Sequence, residues 1–231
     1  MTTMISAFLT WVIAAAVAFA AAQEAPARPQ RFDYLVRADF FAGAAGDEAR
    51  LARVMAVCEE AIAKNPNHAE AHVWHGAGLL VHAGQAFQKG DTTAGGPLFD
   101  EGLEEMDGAM ALAPDNPGVL IPRAAVLFEA TRAMPPALAA PLLQSAVANY
   151  EHVLELQAPI WPTLGDHAKG ELLFGLAEAW SRLGDVGKAR RYFERLLADA
   201  PTSGEVSRAR AWIETGTVPK ANGLSCVGCH K

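Results

Sequence analysis

Apolar and small residues recur at helical spacing over most of this chain. Between residues 172 and 201, Leu173, Leu176, Ala177, Trp180 and Leu183 fall on one helix face. Gly184 and Asp185 interrupt the pattern, and Ala189, Phe193 and Leu196 resume it before Pro201. This spacing predicts a helical hairpin. The same punctuation recurs upstream: Ala61 and Pro66 close one pair of helices, and Ala71 and Gly76 open the next. Ala109 and Pro114 close that pair, Leu120 and Ala124 open another, and Ala146, Tyr150 and Val153 mark its second helix. Gly- or Pro-rich stretches at 88–97 and 157–166 read as loops, the first inside a hairpin and the second between two hairpins. A last helix is expected from Ser203, as N-cap, to Gly216 just past its end.

The run from Trp180 through Ala189 and Phe193 to Pro201 resembles the tetratricopeptide repeat, in which two helices with fixed small and large positions end at a proline. The resemblance covers about residues 31 to 215. It implies an all-α array of three to four helical hairpins, an α-solenoid closed by a capping helix, with a surface suited to protein partners. One departure is visible. The closing positions Pro66, Pro114, Ala158 and Pro201 lie 48, 44 and 43 residues apart, against a repeat period of about 34. The two loop stretches are the expected place for the extra residues.

Composition fits helices. Of the 231 residues, 51% are apolar but only 8% are aromatic, and alanine, the strongest helix former, is abundant. The net charge of -7 has no basic block within it, which argues against nucleic acid as a partner. The uncharged run from Ile5 to Ala22 ends in three alanines, as an export signal does, although no Lys or Arg precedes it. Residues 1–22 are read either as a signal peptide cleaved after Ala22 or as an N-terminal anchor, since the run is nearly the ~20 residues that span a bilayer. Residues 23–30 read as a linker. Both versions place the chain outside the cytoplasm: periplasmic or secreted, or membrane-anchored if the run is retained.

The tail, residues 216–231, carries the most specific chemistry. Cys226, Cys229 and His230 stand in the order Cys-x-x-Cys-His, which resembles the attachment motif of c-type cytochromes. The resemblance implies one haem c held by thioethers to Cys226 and Cys229, with His230 as an axial iron ligand. A thiol-exchange pair or a zinc site is the other chemistry these residues allow. The first would want a strand and a helix N-terminus alongside, and the second more ligands nearby. Cys58, on the inner face of a helix, reads as a small buried apolar residue.

The sixth iron ligand is open. His72, His75 and His82 share one helix face with Leu79, and Met134 precedes Pro135 and Pro136 at a helix end. His75 ranks first among these four and His72 second, against a reading in which the histidines pack with locally satisfied rings. Trp74 and Trp180 read as core aromatics. These expectations describe an exported monohaem cytochrome on a repeat scaffold, transferring single electrons to a redox protein of the cell envelope. The alternative is an envelope adaptor whose haem is structural, sensory or a link between copies in a homo-oligomer. No carboxylate–histidine constellation identifies a substrate, so no catalytic residue is assigned.

Overall fold

The computed structural model describes residues 31–219, and all of its regular structure is helical. Among the described residues nine α-helices follow one another: α1 (Asp33–Ala44), α2 (Glu48–Lys64), α3 (Ala69–Gln88), α4 (Thr92–Leu112), α5 (Pro117–Ala130), α6 (Pro136–Gln157), α7 (Asp166–Arg182), α8 (Val186–Asp199) and α9 (Val206–Thr215). Short 3-10 turns at Thr131–Ala133 and Ala158–Thr163 follow α5 and α6. The all-α expectation holds among the described residues. None of their helices is long and apolar enough to cross a membrane. The leader at 1–22, the linker at 23–30 and the tail from residue 220 onward, with Cys226, Cys229 and His230, lie outside the described residues.

Consecutive helices pair as α1 with α2, α3 with α4, α5 with α6 and α7 with α8, while α9 packs on α8. The first helices of successive pairs also touch, α1 on α3, α3 on α5 and α5 on α7. Three of the four turns within pairs share one chemistry. Gly46, Gly90 and Gly184 take positive φ (112°, 79° and 85°), a conformation that favours glycine. The aspartate that follows each glycine then caps the second helix: Asp47 accepts from the Arg50 N–H, Asp91 from Ala94 and Asp185 from Lys188.

This Gly-Asp device corrects the expected loop at 88–97. Only Lys89 to Asp91 lie between α3 and α4, and the Thr-Thr-Ala-Gly-Gly-Pro run forms the first turns of α4. The Asp91 cap starts the helix there. Gly95 packs against the Phe87 ring, and Pro97, inside the helix, has no N–H to donate to the Thr93 carbonyl, a local loss the rest of α4 sustains. The extra residues of the long period are therefore largely helix: α3, α4 and α6 have 20, 21 and 22 residues. The stretch at 157–166 does connect pairs, but much of it is the 3-10 turn.

Ser203 is not the N-cap expected for the last helix, because α9 begins at Val206 with Glu205 at the cap. Ser203 is instead buried two residues upstream. Its Oγ accepts from the Glu205 N–H at 3.2 Å and presses on Gly170 of α7, where a Cβ would clash. Gly216 ends α9 in the left-handed region (φ 73°), as expected.

Two apolar clusters fill the interior. The larger runs from Phe32 and Val36 through Trp74, Leu120, Phe128 and Tyr150 to Leu176; the smaller joins Leu173, Phe174, Phe193, Leu196 and Trp212. Trp180 is half-buried and packs against both, and Trp74 is buried, so both serve as core aromatics. Cys58 is also fully buried. Burial first, then the charges of Glu105 and Glu59, push its thiol pKa up to about 12, as suits a packing residue.

Candidate functional site

A close approach of two backbones sets the geometry of α3 and α4. A Cβ on Gly76 would stand 2.7 Å from the Gly102 carbonyl oxygen, and one on Gly102 equally close to the Gly76 carbonyl oxygen. Glycines at both positions let the two backbones meet. One turn along α4 from Gly102, Glu105 reaches across to α3, where His72 and His75 lie one turn apart on the facing side.

Glu105 bridges both rings. Its Oε1 lies 2.9 Å from His72 Nδ1 and its Oε2 2.6 Å from His75 Nδ1. His72 is closed at its other end too, since its Nε2 lies 2.9 Å from the Pro66 carbonyl oxygen. His75 is different. Among the described residues its Nε2 meets only Glu59 Oε1, at 3.7 Å, and the Glu59 side chain is 66% exposed.

Burial alone would raise the Glu105 pKa, but the hydrogen bonds from His75 and His72 outweigh it and hold the carboxyl below its ordinary range. The Glu105 hydrogen bond raises the His75 pKa against the opposing effect of burial, with further contributions from Glu105, Glu59 and Glu101 charges. The two shifts run in opposite directions, as expected when a half-buried imidazole and carboxylate each favour the other's charged form.

The histidine stripe is therefore divided. His72 and His75 come together on Glu105, whereas His82 lies farther along α3, near Glu48, Lys89 and Asp91. Among the described residues no hydrogen bond fixes the His82 ring. Met134 ends the 3-10 turn after α5 in extended conformation, half-buried against the larger cluster. Of the remaining histidines, His68 caps α3 by accepting from the Ala71 N–H at Nδ1, and His152 Nε2 lies 2.7 Å from Asp115. His167 Nε2 lies 3.4 Å from Glu171.

Glu105 is the residue that sequence reasoning missed. Asp100, Glu101, Glu104, Glu105 and Asp107 crowd one segment of α4, and their spacing alone does not say which faces α3. The glycine-to-glycine contact does.

Among the described residues no group of three or more His, Cys, Asp or Glu side chains is arranged to hold a metal ion. The arrangement at His75 can do something narrower. With Nδ1–H donated to Glu105, the imidazole is fixed in orientation and Nε2 can serve as one ligand to a metal brought on another carrier.

A second feature lies on the other side of α3. A half-open cavity of about 310 Å³ is walled by the end of α1 with α3 and α5, and its lining includes Phe40, Phe41, Trp74, Leu80, Pro122 and Val126. The buried Trp74 indole N–H has no hydrogen-bond partner among the described residues. Such a cavity suits an apolar ligand or partner side chains. No family model matches the chain, and no curated protein is significantly similar to it.

Proposed function

We propose that this chain is an exported monohaem c-type cytochrome built on a tetratricopeptide-like array, acting in one-electron transfer outside the cytoplasm. The observation that carries the reading is the Cys226-x-x-Cys229-His230 order. Two thiols separated by two residues match the two vinyl groups on one edge of a haem, and the next residue supplies an imidazole for the iron. Bound haem supplies a metal centre that changes oxidation state by one electron. Two features support the reading. The apolar leader, Ile5 to Ala22, would deliver the thiols to the compartment where such attachment occurs. The pairing of helices α1 to α8, capped by α9, is what stacked helical hairpins require.

The residues present fit a haem better than a protein-built metal centre. His75 is an oriented imidazole that belongs to no group of three or more metal-binding side chains among the described residues, which suits a metal already held by a macrocycle. The partner is a redox protein of the cell envelope. Expression in a host able to mature c-type cytochromes, followed by denaturing electrophoresis with haem staining, tests the reading: covalent haem is expected, and its loss in Cys226→Ala/Cys229→Ala. Absence of covalent haem from the wild-type chain overturns it.

The cavity on α1, α3 and α5 favours a second reading, an adaptor that binds an envelope protein through the array while its haem is structural, sensory or a link between copies. In Cys226→Ala/Cys229→Ala, partner binding and electron transfer through the complex both unchanged would favour the adaptor, whereas loss of electron transfer would favour the carrier.

A further inference from the structure

We infer that His75 supplies the second axial ligand to the tail haem through Nε2, and that Glu105 is the residue that positions it. The inference rests on the haem reading above and adds to it the ligand that the sequence leaves open.

Local bonding distinguishes the histidines. Both ring nitrogens of His72 face oxygen acceptors, Glu105 and the Pro66 carbonyl, so neither is available without breaking a bond that anchors the start of α3. His68 uses Nδ1 to cap that helix. The His82 ring has nothing to orient it, so ordering it would cost side-chain entropy, and Met134 is engaged in packing. His75 alone among the four candidates combines a fixed ring with an outward nitrogen. Nδ1 is held at 2.6 Å by a carboxylate only 19% exposed, and Nε2 is approached only by a carboxylate from a well-exposed side chain, which can swing aside without loss of packing.

This is the arrangement in which a carboxylate behind a ligating histidine fixes its tautomer and increases its basicity. It is also rigid. Glu105 stands one turn from Gly102, whose contact with Gly76 locks α4 onto α3 beside His75. Iron at Nε2 would replace a proton there while Nδ1–H remains on Glu105. With the Glu105 carboxylate on the ring and Glu101 nearby, the ferric state would be favoured and the reduction potential held low.

The haem can arrive on the chain's own tail or on that of a second copy. Ten residues lie between Pro219 and His230, a reach of at most about 40 Å when fully extended.

The test is spectroscopic and uses the full haem-loaded chain. The wild type is expected to show a low-spin, six-coordinate haem without the methionine-sulfur charge-transfer band at the red edge of the visible spectrum. His75→Ala is expected to lose the low-spin signature while keeping its helical circular dichroism, and added imidazole should restore it; His152→Ala should change nothing. Glu105→Gln should stay low-spin but raise the reduction potential, with Glu105→Asp falling between.

A sulfur band in the wild type, or an unchanged His75→Ala spectrum, overturns the ligation. An unchanged potential in Glu105→Gln overturns the positioning role. Covalent haem on denatured wild-type protein keeps the haem reading standing whichever way these results fall. Mixing His75→Ala chains with haem-free Cys226→Ala/Cys229→Ala chains assigns the source, because only a tail shared between copies would recover low-spin haem.

Discussion

The pairs α3–α4 and α7–α8 are built by opposite means. In α7–α8 large side chains do the joining: Phe174 meets Phe193 edge to face with centroids 5.7 Å apart, and Phe193 lies 4.7 Å from Trp212 of α9. Charged groups sit round this aromatic core and are matched. Buried Glu178 accepts from Arg132 at 2.6 Å and lies 3.7 Å from Arg208, whose guanidinium covers the Phe174 ring. In α3–α4 backbones do the joining, through Gly76 and Gly102, and an ionisable cluster of two histidines and a carboxylate lies in the seam. The first pair spends its interface on packing and the second on fixing the orientation of polar groups.

The comparison breaks first at Phe193. Phe193→Ala removes a fully buried ring from the smaller cluster and is expected to cost about 3–5 kcal/mol, read as a lower denaturant midpoint with Trp212 fluorescence as one probe. A loss near that of an exposed site would mean the aromatic stack does not hold α7, α8 and α9 together.

Gly102→Ala is the matching test of the other pair. In an ordinary helix interior this change stabilises by about 1 kcal/mol. Here the new Cβ would fall 2.3 Å from Leu80 Cδ1 and 2.7 Å from the Gly76 carbonyl oxygen, so a loss of about 1–3 kcal/mol is expected. In a Cys226→Ala/Cys229→Ala background, Cys58 reports on the same region. Its buried thiol should resist alkylation in the parent and react faster in Gly102→Ala. Stabilisation by Gly102→Ala would show that the backbones do not need this approach.

The same contrast explains how much of the molecule was legible in its sequence. The α7–α8 pair is carried by residues whose size and spacing speak for themselves, with Gly184 and Asp185 marking the turn, so its helices follow directly from periodicity. In α3–α4, Gly95, Gly96 and Pro97 mimic a loop, and only the Asp91 cap shows that they are helical. Its Gly-Asp turn repeats those at Gly46 and Gly184, a signal present in the sequence but hidden by attention to prolines. The site was half legible. Three histidines on one face were visible, but which of them meets a carboxylate depends on the rotation of α4 about its axis, and that is set by glycine contacts a periodicity argument does not weigh. Ser203 misled for a related reason: its hydroxyl suits a cap, yet close packing on Gly170 uses it elsewhere.

The smallest expected effect concerns a histidine–carboxylate pair outside the seam. His152 of α6 lies 2.7 Å from Asp115 and 3.6 Å from Glu155, with its side chain 36% exposed. The hydrogen bond to Asp115 raises its pKa, with slight opposition from burial and help from Glu155. A folded-state pKa above the unfolded value near 6.5 means that the pair stabilises the fold fully below about pH 6.5 and loses this contribution as pH rises through the folded value. Solvent screens the pair, so the contribution should be under about 1 kcal/mol. Denaturant midpoints of wild type and His152→Gln, compared at pH 5.5 and pH 8.5, should differ more at the lower pH. Equal differences at both would show that this exposed pair adds nothing, however short its hydrogen bond.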